Sequence, residues 1–348
     1  MSRPQNPQRP SFPFGNPFKL ILPNSSSVSP RHATLLTNFE LSLAERLEKL
    51  NPKNGEDVLA LSWMVSAIVS VCETHAYIKT FISDLELSVY DWDAKWIDLY
   101  LDDSLKLLDI CISFSSELAH FSQGHLLLQC IMHNMEANPT KASEQANSFI
   151  NDWNRHISSR NPRLEVCSSI IDDLTATTNL PKIKNSSKGK VLVKAMYGVK
   201  VHTLFVLGIF LAAFSGSAKL TSFQVPDICI WSHAFENLQN RLQKEVKDRS
   251  SKGGRFSLVK ELNSVDTIVG KLHPIVQDES GSAKMQAFGD DTCDLKDRAE
   301  KLSLGLDSLT KGVEGFFQIL LSGRDALLSK FRTALKVEDP MQKRIGVR

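Results

Sequence analysis

Strong charge of either sign is missing from this 348-residue chain: 41 Lys and Arg stand against 39 Asp and Glu, a formal net charge of +2. So even a balance excludes a dedicated nucleic-acid binder, which shows a marked basic excess. Paired cysteines are missing too. The six thiols, Cys72, Cys111, Cys130, Cys167, Cys229 and Cys293, form no CxxC pair. Most sit among apolar residues with helical spacing, which fits free buried thiols in a reducing compartment and excludes a disulfide framework. No charged start followed by an apolar run lies near Met1, so a secreted protein is not expected and the sequons at Asn24 and Asn185 read as chance matches. No GxSxG, HExxH or dinucleotide fingerprint occurs; Lys188-Gly189-Lys190 lacks the upstream glycine and the hydroxyl residue of a phosphate loop. Strand-like alternation is absent as well. What remains is helical.

Acid is absent from the first 39 residues, where Arg3, Arg9, Lys19 and Arg31 are basic and prolines fall at 4, 7, 10, 13, 17, 23 and 30. This composition is that of an organelle transit peptide, although the prolines oppose the amphipathic helix such peptides form. Residues 1–28 are therefore expected to be a mobile Pro-rich segment, with Phe12, Phe14 and Phe18 as a docking element that packs onto the body or anchors to a partner or membrane surface.

From Ser29-Pro30, a favourable helix start, the apolar residues recur at intervals of three and four. Leu36, Phe39, Leu43 and Leu47 line one helix; Leu61, Val65, Ile68, Cys72, His75 and Ile82 line its hairpin partner. A Trp92, Trp96 and Tyr100 face leads into a long stripe that is expected to break near Gly124 and resume at His125. Two shorter helices fill 140–160 and 163–179. Beyond the apolar stretch, helices are expected from Pro226, from Leu258 to Val276 with an interruption at Pro274, and from Cys293 to Leu335. The fold class is all-α: an elongated bundle of long antiparallel amphipathic helices around a central apolar one. Its expected organisation is an N-terminal segment 1–28, a helical half 29–180, a linker 181–190, a second half 191–335 built on helix 191–217, and a flexible tail 336–348.

The apolar helix is the most distinctive stretch. Between Val201 and Phe214 only His202 and Thr203 are clearly polar, and Leu204, Phe205, Leu207, Phe210, Leu211 and Phe214 are its large side chains. A spanning helix needs about 20 predominantly apolar residues, and shorter runs are more often buried or interfacial. These six residues are read as a core hub, with membrane contact as the alternative and Lys194, Lys200 and Lys219 as snorkelling flanks. Gly208, Ala212 and Ala213 would permit close approach of neighbouring helices.

Two constellations could carry chemistry. His120, His125, Cys130 and His133 lie close along the chain, but their spacing does not give one helical face the four ligands zinc wants. Asp98, Asp102, Asp103 and Asp109 could be paired carboxylates, yet their spacing fits a solvated face. No catalytic residue, cofactor or metal is therefore expected. The expected partners are other proteins, with a membrane surface as a second option.

Several blocks carry a family resemblance: Phe12–Phe18 (FPFGNPF), Leu61-Ser62-Trp63, Cys72-Glu73-Thr74-His75, Asp91–Asp102 (DWDAKWIDLYLD), Lys106–Leu118 (KLLDICISFSSEL) and Gln123–Gln129 (QGHLLLQ). In combination they resemble the plant-specific BYPASS family, closely at the front and by general layout behind. The resemblance implies a non-enzymatic developmental regulator of root and shoot growth. It implies restraint of a root-derived, carotenoid-linked mobile signal, and it brings no catalytic residues. The helices themselves fit a scaffold or interaction protein. The alternatives are a membrane-associated organiser at the ER or plastid envelope, and a binder or enzyme for an apolar metabolite. A cytoplasmic or ER-associated location is favoured, with the chloroplast open through the acid-poor N-terminus.

Overall fold

The computed structural model describes residues 28–52, 58–87, 94–137, 142–178, 186–251, 257–277 and 284–342. Among the described residues there are nine helices and no strand: α1 (Pro30–Leu50), α2 (Leu61–Asp84), α3 (Ala94–Ala137), α4 (Ala142–Ser158), α5 (Arg163–Ala176), α6 (Ser187–Ser215), α7 (Ser232–Ser251), α8 (Lys260–Gln277) and α9 (Lys284–Gln342). The docking residues Phe12, Phe14 and Phe18, and Trp92, lie outside them.

Local chemistry explains the start of α1 and both ends of α6. The Ser29 side chain accepts from the His32 N–H and Pro30 opens α1, so that start lies where the sequence places it. Ser186 caps α6 through the Gly189 N–H, and Gly216, at φ 68°, closes it in the left-handed region. Three expectations fail. The α3 helix does not break at Gly124; a Cβ there would lie 3.2 Å from both Trp153 and His156, so the glycine admits α4 and does not end α3. The helix α8 continues through Pro274. Residues 226–231 turn where a helix was expected: Cys229 N–H donates to Pro226 O and Ser232 N–H to Cys229 O, and α7 begins only at Ser232. The cause is tertiary, because the buried Glu40 carboxylate accepts from the Ile230 N–H at 3.4 Å. The last helix is also longer at both ends than its periodicity indicates.

The core is one continuous cluster to which all nine helices contribute. Helices α1 and α2 form an antiparallel hairpin held by Phe39 against Tyr77 and Phe81, and by the Trp63 indole N–H donated to Leu50 O. Helix α9 lies parallel to α2. Gly305 and Gly312 face Leu61 and Ile68, and a Cβ would come to 2.6 Å and 2.5 Å of those side chains. The bare backbone lets the two helices close. Against α3 the same helix runs antiparallel, so that Gly323 meets Tyr100 and Arg324 bonds Leu101 O and Ser104 Oγ.

Helix α6 threads the middle, touching α1, α2, α5 and α7. Every residue from Val201 to Phe210 is buried. Its C-terminal half meets rings from both sides: Phe114 sits 6.0 Å from Phe210 and 5.3 Å from Phe214, Phe121 5.8 Å from Phe214, and Phe205 5.0 Å from Phe235. Gly208, by contrast, has nothing within 4 Å of its would-be Cβ, so the expected close approach there is not made.

One clasp joins distant parts of the chain. The Leu61 N–H donates to both Glu261 carboxylate oxygens, at 3.1 and 3.0 Å, capping α2 from α8. In return the Lys260 N–H donates to Leu59 O at 3.1 Å. Leu59 holds φ 63° to make this turn, a conformation that a buried leucine adopts only under tertiary constraint. Ser257 and Leu258 both donate to Ala213 O near the end of α6.

Candidate functional site

The N-terminal half of α6 is less completely covered than the rest. Between it and α2, α3, α5 and α9 lie two adjoining cavities of about 220 and 440 Å³ that share His75, Tyr100 and Met196. Leu107, Leu174, Val193, Val199, Leu204 and Leu320 line the first, Ile78, Ile82, Ile319 and Leu327 the second. The walls are predominantly apolar, and together the cavities have the size of a small-molecule site.

A polar network lies behind one wall, reaching the cavities through His75 and Thr203. His202 and Thr203 interrupt the apolar run of α6 and must find partners, because an unbonded polar group in a core is costly. They find them on α2. The His202 ring reaches Ser70 Oγ at 3.4 Å through Nε2 and Thr74 Oγ1 at 3.2 Å through Nδ1. His75 Nε2 lies 2.9 Å from Thr203 Oγ1, and the His75 ring stands edge-on to Phe316 at 5.1 Å. The hydroxyl protons assign the tautomers. Thr74 donates to Ser70 O and Thr203 to Val199 O, both at 2.8 Å, so each hydroxyl is left to accept. His202 therefore carries its proton on Nδ1, and His75 on Nε2. Burial keeps both rings neutral, pushing His75 down to about 4 and His202 to about 3, the latter helped by the neighbouring His75 and Arg46.

The rim of the first cavity holds an ion pair. Lys200 Nζ lies 2.7 Å from Asp103 Oδ2 and donates to Thr177 Oγ1 at 3.0 Å. Both side chains are under one-fifth exposed. Asp103 thus leaves the solvated face expected for the acidic group, while Asp102 stays on it, paired with Lys106 one turn along. Of the other lysines expected to snorkel, Lys219 pairs with Asp172 at 2.7 Å on the surface.

A third cavity, about 200 Å³ and more polar, lies beside Leu211 and Phe214. Glu117 lines it and is buried, with Oε2 unpartnered. The histidines read along α3 do not converge. His120 stacks on His156 with ring centroids 4.1 Å apart, His125 meets Gln129, and His133 is exposed. Among the described residues no group of three or more His, Cys, Asp or Glu is placed to hold a metal. The thiols are free, and burial raises Cys72 to about 11, Cys167 to about 12 and Cys111 further, away from the thiolate a nucleophile needs.

The six apolar candidates on α6 thus divide. Leu204 lines the first cavity; Leu211 and Phe214 line the polar one; Phe205, Leu207 and Phe210 are buried in the core. Helix α6 is long and apolar enough to cross a membrane, yet 78% of its most apolar window is already buried by the rest of the chain. The sequence reading missed the cleft. His75 carried an ordinary core spacing and Lys200 an ordinary flank; the one signal present was His202-Thr203 inside the apolar run.

Comparison with known proteins gives a consistent result. The family model described as Protein BPS1 matches residues 87–329. Protein BPS1, chloroplastic, of Arabidopsis thaliana is 48% identical over 335 residues, covering 96% of this chain and 94% of that protein. UPF0496 protein 4 from the indica and japonica subspecies of Oryza sativa is 42% identical over 278 residues, covering 78% of this chain and 61% of those proteins. No solved structure matches.

Proposed function

The chain belongs to the BPS1 family, the BYPASS family of the sequence reading, and from that premise we propose that it is a non-enzymatic regulator of root and shoot development. It acts by restraining a root-derived, carotenoid-linked mobile signal and works as a helical interaction protein. One structural observation supports the non-enzymatic part: the cleft histidines and four of the six thiols are taken up by the fold. His75 and His202 are neutral and bonded to hydroxyls, the α3 histidines are dispersed, and burial raises the thiols of Cys72, Cys111, Cys167 and Cys229 away from the thiolate form. The acid-poor first 39 residues and the word chloroplastic in the name of the Arabidopsis relative together support a plastid location over the cytoplasmic or ER-associated one.

The test is complementation. Expressed in Arabidopsis lacking its BPS1 relative, the full chain is expected to restore shoot growth, and a root carrying it should no longer arrest a grafted wild-type shoot. Failure to restore growth at normal protein levels overturns the regulatory reading. Turnover of an isoprenoid-derived substrate by the purified protein, abolished by changes in the cleft, overturns the non-enzymatic one. A fluorescent fusion excluded from plastids with residues 1–28 present overturns the location.

A further inference from the structure

We infer that the paired cavities around His75, Tyr100 and Met196 form a binding site for a small, uncharged, largely apolar molecule that carries one hydroxyl. The inference stands on cavity geometry and goes beyond the regulatory reading, so either can fail without the other.

Three features select this ligand chemistry. The first is space. Each cavity alone is modest, but they adjoin at three shared side chains, and the combined cleft falls in the range that encloses a ligand of metabolite size. The second is the wall, which is built from Leu, Ile, Val and Met of α2, α3, α5, α6 and α9, so a ligand gains chiefly by leaving water. The third is the polar inventory. The one strong cation in the first cavity, Lys200, is neutralised by Asp103, and Thr177 takes a further Lys200 proton, so no unmatched charge there calls for an anion. Arg324, close by, is turned to Leu101 O and Ser104 Oγ. The cation of the second cavity, Lys79, is solvent-exposed and keeps its ammonium hydrated, so it calls for no buried anion either.

His75 supplies the specificity. Its Nε2 proton is fixed on Thr203, whose own proton is fixed on Val199 O. The ring is neutral, so Nδ1 carries a lone pair and can only accept. A residue lining both cavities thus presents an acceptor of fixed tautomer, and its complement is a donor without charge: a hydroxyl. A buried acceptor discriminates strongly against an otherwise equal molecule that lacks the donor.

The experiment uses the purified full chain and a matched pair of probes, 2-naphthol and 2-methoxynaphthalene, which differ in the donor. Titration calorimetry is expected to show one saturable site for the naphthol, with the methoxy probe weaker by about tenfold, the worth of one buried hydrogen bond. The charged analogue 2-naphthoate is expected to bind more weakly still. His75→Phe keeps the ring against Phe316 and leaves Thr203 bonded to Val199; it should bring the two neutral probes to equal affinity. Met196→Trp, filling the junction at a partly exposed position, should abolish both. The comparison of probes on the unaltered protein needs no variant, so a misfolded variant does not weaken it. No saturable naphthol binding, equal affinity for the two neutral probes, tighter binding of the naphthoate, or unchanged binding in folded Met196→Trp each overturns the proposal.

Discussion

The two halves of α6 solve opposite problems with one continuous helix. From Phe205 to Phe210 the side chains meet rings of α3 and α7 at 5.0–6.0 Å, before the polar cavity beside Leu211 and Phe214. From Val193 to Leu204 several of them face a cleft, with polar groups from α2 and an ion pair to α3. The difference teaches that burial counted against the chain is not the same as packing. Val193 is only 4% exposed and Phe210 0%, yet the first borders empty space and the second a ring.

The largest effect should come from charge. Phe210→Asp puts an unpaired carboxylate among rings, a cost of several kcal/mol that rivals the whole stability of an ordinary domain. It should leave the protein unfolded by circular dichroism, and Leu207→Asp should do the same. Val193→Asp borders the cleft, where water can reach the new charge, and should fold with a lowered Tm. If Val193→Asp is as disruptive as Phe210→Asp, the two halves are not different in kind.

Truncation should give the next effect. Phe210→Ala is expected to cost about 3–5 kcal/mol, while Leu204→Ala, beside a cavity that already exists, should fall at or below about 2 kcal/mol. Urea denaturation with unchanged m-values would measure both, and equal losses would erase the contrast.

Acid should then weaken the cleft half. His75 and His202 hold folded pKa values of about 4 and 3, below the ordinary 6.5. Unfolding lets both rings take protons between those limits, so their stabilisation is complete above about pH 6.5 and is lost as pH falls toward 4. The slope is at most about 1.4 kcal/mol per pH unit for each ring. Tm should fall measurably from pH 6 to 5, and His202→Leu should flatten that fall; an unchanged slope would sink the assignment. The smallest effect is expected from Lys200→Met, which leaves Asp103 part-buried and unpaired. A loss of about 1 kcal/mol or less is expected from thermal denaturation at pH 7.

The helical architecture was legible because its signals are local: Ser29-Pro30 starts α1, and spacing of three and four places Phe39, Leu43 and Leu47 on one face. What failed were positions where a distant residue overrules local preference. Gly124 continues α3 because Trp153 and His156 need its surface, and Ile230 turns because Glu40 takes its N–H. The cleft belongs to this second kind. Nothing near His75 in sequence says that Thr203 fixes its proton, since that bond joins residues far apart along the chain. Only the polar pair His202-Thr203 in an apolar run asked, by its cost, for partners the sequence could not name. The three docking phenylalanines lie outside the described residues.

The Glu261 clasp on Leu61 has a consequence in time. The chain is made from its N-terminus, and 200 positions separate the first N–H of α2 from the carboxylate that satisfies it. The partner of Leu61 and Ile68 on α9 arrives later still. Until then the hairpin of α1 and α2 has its inner face open, so early folding has little to hold it and the last helix completes the whole at once. A product cut short before Gly305 is therefore not a smaller working protein but a client for chaperones. Loss of residues 305–348 alone should read, in a cell, as loss of everything.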